Sequence, residues 1–201
     1  MFLDRVKKKL SPFLFKVGTI AAGLGFTPNL ATGIGFVFLV LAAFLIYNQF
    51  LFYGGLALII NLFFDAIDGS TARATNKTTK LGHFFDRTAD QCRQLIWIVL
   101  GLANFISLKL AILAVFLDAF GNYIAHFVEE NQVKTLPWVP AWIGWIMILG
   151  LLTGKVVFFT WVFIFLAVGL AIVQTISIAF LNRKNETEAS SLANKVRAKV
   201  R

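Results

Sequence analysis

Asp65-Ala-Ile-Asp68-Gly69-Ser-Thr-Ala72-Arg73, then Gly82-His-Phe-Phe-Asp86-Arg-Thr-Ala-Asp90, gathers four of the chain's ten acidic residues at the end of a long apolar run. Between Lys16 and Asp65 no residue carries a formal charge, which leaves room for two bilayer crossings at about 20 residues each. A carboxylate beside membrane helices is costly, so a functional role is the default reading of all four.

The rest of the chain has the same character. Of 201 residues, 58% are hydrophobic and 15% aromatic, with 22 Phe, a composition outside the usual range of soluble domains. Further charge-free stretches cover residues 94–108, 135–154 and 156–182. The predicted fold is an all-α integral membrane protein with six transmembrane helices, at about residues 31–47, 50–71, 83–104, 111–128, 139–152 and 156–181. Thr27-Pro28-Asn29 marks the entry to the first span, because proline disfavours helix at the residue before it and starts a helix well.

Ahead of that entry, Leu3, Val6, Leu10, Phe13, Leu14 and Val17 recur at helical spacing against Lys7, Lys8, Lys9 and Lys16. This predicts an amphipathic helix on the membrane surface. Met1 to Gly25 has no continuous apolar core with a small-residue cleavage site, so a cleavable signal peptide is not expected. The chain divides into a juxtamembrane segment (1–26), a six-helix transmembrane domain (27–182) and a basic tail (183–201) that is polar and expected to be partly disordered.

An even number of spans puts both termini on one side. That side would hold 17 of the 19 Lys and Arg, with only Lys109 and Lys155 opposite, so both termini and the acid cluster are expected to face the cytoplasm. The bias also accounts for the net charge of +9, through anchoring and attraction to anionic lipid, and no nucleic-acid partner is inferred. One cysteine, Cys92, excludes an intramolecular disulfide.

On helices, the acids acquire geometry. Asp65 and Asp68 are three apart, Ala72 is four beyond, and Gly82, Asp86 and Asp90 are spaced by four, so each set lines one face. A link of a few residues lets spans two and three pack antiparallel, bringing the pairs opposite each other. Four carboxylates in a confined site need countercharge. Oxygen ligands without Cys or imidazole pairs suit one or two Mg²⁺ or Mn²⁺ ions, and two-metal sites typically act on phosphates. Gly69, Ala72 and Gly82 leave space for close approach of a ligand, while Arg73 has the planar fork that meets a phosphate. The combined chemistry is phosphoryl transfer from a nucleotide-like donor.

These residues resemble the signature of the CDP-alcohol phosphatidyltransferase family, Asp-x2-Asp-Gly-x2-Ala-Arg-x8-Gly-x3-Asp-x3-Asp, and all eight fixed positions match. The resemblance implies transfer of a substituted phosphate from a CDP-linked lipid to a hydroxyl acceptor with release of CMP. It implies that Asp65, Asp68, Asp86 and Asp90 hold the Mg²⁺ or Mn²⁺ ions and that Asp90 is the general base. Asp68, Gly69, Ala72 and Gly82 would accommodate the cytidine nucleotide, with Arg73 on a donor phosphate. Members of the family are often homodimers.

The acceptor is less legible. Inositol phosphate users carry a run resembling Ser-Tyr-x-Arg-x-Arg-Ala-Glu in the fourth span, whereas this chain has Asn122-Tyr123-Ile124-Ala125-His126-Phe127-Val128-Glu129. The arginine positions are Ala125 and Phe127. Lys134, Arg183, Lys184 and His126 remain candidates for a smaller acceptor pocket, against the simpler reading of Lys134, Arg183 and Lys184 as positive-inside anchors. A phosphorylated polyol, such as inositol phosphate or glycerol phosphate, is the leading expectation for the acceptor class, and a free amino alcohol or a serine-like acceptor stays open. Asp118, alone in the fourth span, reads as a helix–helix hydrogen-bond partner. The competing reading of the acid cluster is a divalent-cation channel or transporter, which would have no need for the glycines and Arg73 at fixed gaps.

Overall fold

The computed structural model describes residues 16–20, 22, 23, 25, 27–75, 80–130 and 141–200, with backbone alone at 73–75, 80, 81, 83, 86, 125, 126, 128–130, 141–144 and 181–200. Among the described residues every regular element is a helix: α1 Pro28–Tyr47, α2 Leu51–Thr75, α3 Lys80–Gln94, α4 Ile96–Leu102, α5 Leu108–Glu130, α6 Ala141–Thr153 and α7 Val156–Val200.

The start of α1 follows the sequence reading. Thr27 is extended (φ −94°, ψ 152°), its hydroxyl accepts from the Leu30 amide, and Pro28 occupies the first turn, where its missing N–H costs nothing. The turn to α2 uses Gln49 at φ 71° and the turn after α4 uses Asn104 at φ 63°. Gln49 Nε2 donates to the Ala103 carbonyl at 3.0 Å, tying these two turns together.

α1 and α2 form the most extensive helix pair, followed by α6 with α7, and α2 also packs on α6 while α5 packs on α4 and α7. The core runs through Ile46, Leu58, Trp97, Leu100, Leu151 and Phe163, with the Trp97 and Phe163 rings 4.6 Å apart. Outside it lie large apolar side chains, Phe165 at 82% exposure and Phe180 at 72%. An exterior of this kind suits hydrocarbon rather than water. Among the described residues three helices are long and apolar enough to cross a membrane: Pro28–Tyr47, Leu51–Ala72 and Val156–Phe180.

Two expectations from sequence change. The third predicted span is not continuous: the Leu95 amide bonds the Cys92 carbonyl rather than one four residues back, and α3 gives way to α4 there, a tightened turn of the 3₁₀ kind. The tail expected to be partly disordered continues α7 as helix to Val200. Residues 182–200 contain neither glycine nor proline, and extending a helix already nucleated in α7 is cheap. The predicted amphipathic helix falls mostly on residues 1–15, outside the described residues; its last turn, residues 16–20, is helical.

Candidate active site

The acidic motif occupies the second half of α2 and most of α3. These two helices meet α1, and the polar side chains among them form two networks.

The first is centred on Arg93. Its Nη1 donates to Asp90 Oδ1 at 2.9 Å, its Nη2 to Asp65 Oδ1 at 3.2 Å and its Nε to Asn61 Oδ1 at 2.9 Å. Asn61, 2% exposed, uses its own amide to donate to the Gly35 carbonyl on α1 at 2.9 Å. Asp65 and Asp90 keep 30% and 40% side-chain exposure. The second network holds Asp68, which is buried: the Thr32 hydroxyl on α1 donates to its Oδ2 at 2.7 Å and also lies 3.1 Å from the Pro28 carbonyl.

Next to Asp68, the chain is tightly packed. Gly18 abuts the backbone of Ser70, and a Cβ at Gly18 would sit 2.6 Å from Ser70 C and O and 2.8 Å from Thr71 N. Val17 and Phe64 pack against Ala31 and Ile67. Gly69, Ala72 and Gly82 are all partly exposed. Deeper in the bundle Trp97 Nε1 donates to Asp118 Oδ2 at 3.2 Å, so Asp118 has the helix–helix hydrogen-bond role expected of it.

The motif residues thus divide by placement. Asp65 and Asp90, from different helices, share one guanidinium, while Asp68 turns toward α1. The side chains of Arg73, His83, Asp86, His126, Arg183 and Lys184 lie outside the described residues, as does Lys134 entirely. Among the described residues no group of three or more His, Cys, Asp or Glu side chains is close enough to hold a metal ion. The described donors nevertheless suit a hard divalent cation: they are oxygens, and the carboxylates of Asp65 and Asp90, from two helices, converge on one positive charge, the Arg93 guanidinium.

Sequence reasoning had no grounds to single out Arg93, Asn61 or Thr32. Arg93 reads as one more cytoplasmic-side cation. A faint signal existed in spacing, since Asn61 lies four residues before Asp65 and Arg93 three after Asp90, which places each near its acid on the same helix.

The fold has known counterparts. Two crystal structures of Mycobacterium tuberculosis phosphatidylinositol phosphate synthase superpose with TM-scores of 0.67 and 0.63 at 17% identity, covering 82% and 81% of this chain and 92% and 85% of those chains; one was solved with CDP-DAG bound, the other with manganese and citrate. In sequence, the archaetidylinositol phosphate synthase of Pyrococcus horikoshii is 40% identical over 89 residues, 44% of this chain and 47% of that protein. Choline/ethanolaminephosphotransferase 1 of Arabidopsis thaliana is 40% identical over 74 residues, 31% of this chain and 19% of that protein. The phosphatidylinositol phosphate synthase of Mycobacteroides abscessus is 38% identical over 68 residues, 33% of this chain and 31% of that protein. The chain therefore spans about half the length, or less, of the curated relatives it matches. Residues 26–199 match the CDP-alcohol phosphatidyltransferase family as a whole, and with the match reaching from α1 through α7 the chain belongs to that family.

Proposed function

We propose that this protein is a membrane phospholipid synthase that transfers a substituted phosphate from a CDP-linked lipid to a hydroxyl acceptor, releasing CMP. The observation that carries the reading is the intact eight-position acidic motif in a chain of this family. The convergence of Asp65 on α2 and Asp90 on α3 upon the Arg93 guanidinium supports it.

In this reading Asp65, Asp68, Asp86 and Asp90 hold one or two Mg²⁺ or Mn²⁺ ions. When bound, such ions neutralise the donor's pyrophosphate and the charge developing on CMP. The chain's own residues do the rest. Gly69, Ala72 and Gly82 leave the surface open for the cytidine, Arg73 meets a donor phosphate with its planar fork, and Asp90 takes the acceptor hydroxyl's proton. The Thr32 hydroxyl keeps the Asp68 carboxylate fixed. CDP-diacylglycerol and CDP-archaeol both present apolar chains to apolar helices, so either fits as donor. The acceptor is a phosphorylated polyol, with Lys134, Arg183, Lys184 and His126 as candidate contacts. Six spans with both termini and the site on the cytoplasmic side complete the proposal, supported by the distribution of Lys and Arg.

The test is CMP release by purified protein with Mg²⁺ or Mn²⁺, CDP-diacylglycerol or CDP-archaeol, and a panel of inositol phosphate, glycerol phosphate, inositol, glycerol and serine. Metal-dependent release stimulated by a phosphorylated polyol is the expected result. Absence of metal-dependent release with every pair would refute the assignment.

A further inference from the structure

We infer that Arg93 is a positioning residue whose guanidinium, aimed by Asn61, fixes the orientation of the Asp65 and Asp90 carboxylates toward a shared divalent cation. The inference rests on the metal-site reading of those acids.

The usual course for an arginine at a membrane boundary is to extend toward headgroups and water. Arg93 instead turns inward, with 19% side-chain exposure, and divides its planar donors among three oxygens: Asn61 Oδ1, Asp90 Oδ1 and Asp65 Oδ1. A guanidinium so committed has a fixed plane. Its aim is set from behind. Asn61 accepts from Nε and donates to the Gly35 carbonyl, so the network begins on the α1 backbone and ends on two acids carried by α2 and α3.

Arg93 holds each acid at its Oδ1, which limits rotation of the carboxylate. This is how outer partners of metal ligands act in general, and losing one typically weakens metal affinity 10- to 100-fold. A simple surface ion pair needs neither the Asn61 relay nor the inward turn. Lysine supplies a point charge and cannot reproduce three bonds in one plane.

The experiment measures Mn²⁺ binding to the full chain in nanodiscs, by electron paramagnetic resonance of free Mn²⁺, alongside the metal-free thermal midpoint. Arg93→Lys and Arg93→Met are each expected to weaken Mn²⁺ binding by about 10- to 100-fold, with no rescue by lysine. Asn61→Leu, which leaves every charge in place, is expected to weaken it in the same direction by a smaller factor, and gives the readout if Arg93→Met does not fold. Variants that lose thermal stability yet bind Mn²⁺ within about twofold of the parent, against the loss expected for an outer partner, would overturn the inference. So would tighter binding by Arg93→Met, since the guanidinium would then only compete with the ion. Failure of the parent to bind Mn²⁺ would overturn the metal-site reading, and this inference with it.

Discussion

Asp90 and Asp68 have different surroundings, and their substitutions should fail differently. Asp90, partly exposed and held by Arg93 through one oxygen, is the proposed base: Asp90→Asn should abolish CMP release while leaving CDP-lipid binding partly intact. Asp68→Asn should weaken binding of both Mn²⁺ and the nucleotide, measured by titration; activity of Asp90→Asn equal to the parent would refute the base assignment. Thr32→Val removes the 2.7 Å bond to Asp68 with little change in shape. Hydrogen bonds to charged groups contribute about 1.5–3 kcal/mol to folding, so the thermal midpoint should fall, and CDP-lipid binding should weaken as the Asp68 carboxylate loses its fixed orientation; unchanged binding would remove Thr32 from the site. At this scale the acids were legible because their spacing lies within single helices. Thr32, Asn61 and Arg93 were not, because what defines them is a partner on another helix, and no local periodicity encodes it.

Elements were more legible than their interruptions. The Thr27-Pro28 entry to α1 was readable from residue chemistry, whereas the break at Leu95 carries no glycine or proline to mark it. Nor was the approach of residues 16–20 to α2 visible in advance, since Gly18 matters only through what faces it. A methyl group there would meet the Ser70 backbone, which cannot rotate away as a side chain can. Gly18→Ala should therefore shift this segment and cost about 1–3 kcal/mol, the usual range for overpacking. Thermal unfolding in detergent measures it, and an unchanged midpoint would show that the contact is loose. Trp97→Phe tests the other buried pairing: with Asp118 left without its indole donor, the expected loss is about 1–3 kcal/mol, and an unaltered midpoint would make Asp118's role something other than packing.

For the molecule as a whole, composition and charge bias predicted a helical membrane protein, and the arrangement of helices around Trp97 and Phe163 had to come from the structure. Sidedness can be tested by labelling. In a Cys92→Ala background, Asn48→Cys and Ser107→Cys, both exposed in turns, should react with an impermeant maleimide from outside intact cells, while Asn185→Cys should react only after lysis; the reverse pattern would invert the proposed topology. The continuous α7 bears on charge in a different way. At about 1.5 Å per residue, the twenty residues after Phe180 reach some 30 Å, whereas electrostatic influence in physiological salt decays over about 8 Å. On the proposed topology, a helix running straight on out of the bilayer would hold Lys195, Arg197 and Lys199 beyond the electrical reach of the headgroups. The positive charge of this protein would then belong to two separate compartments: one that grips lipid, and one, held aloft in the solvent, that the membrane hardly senses.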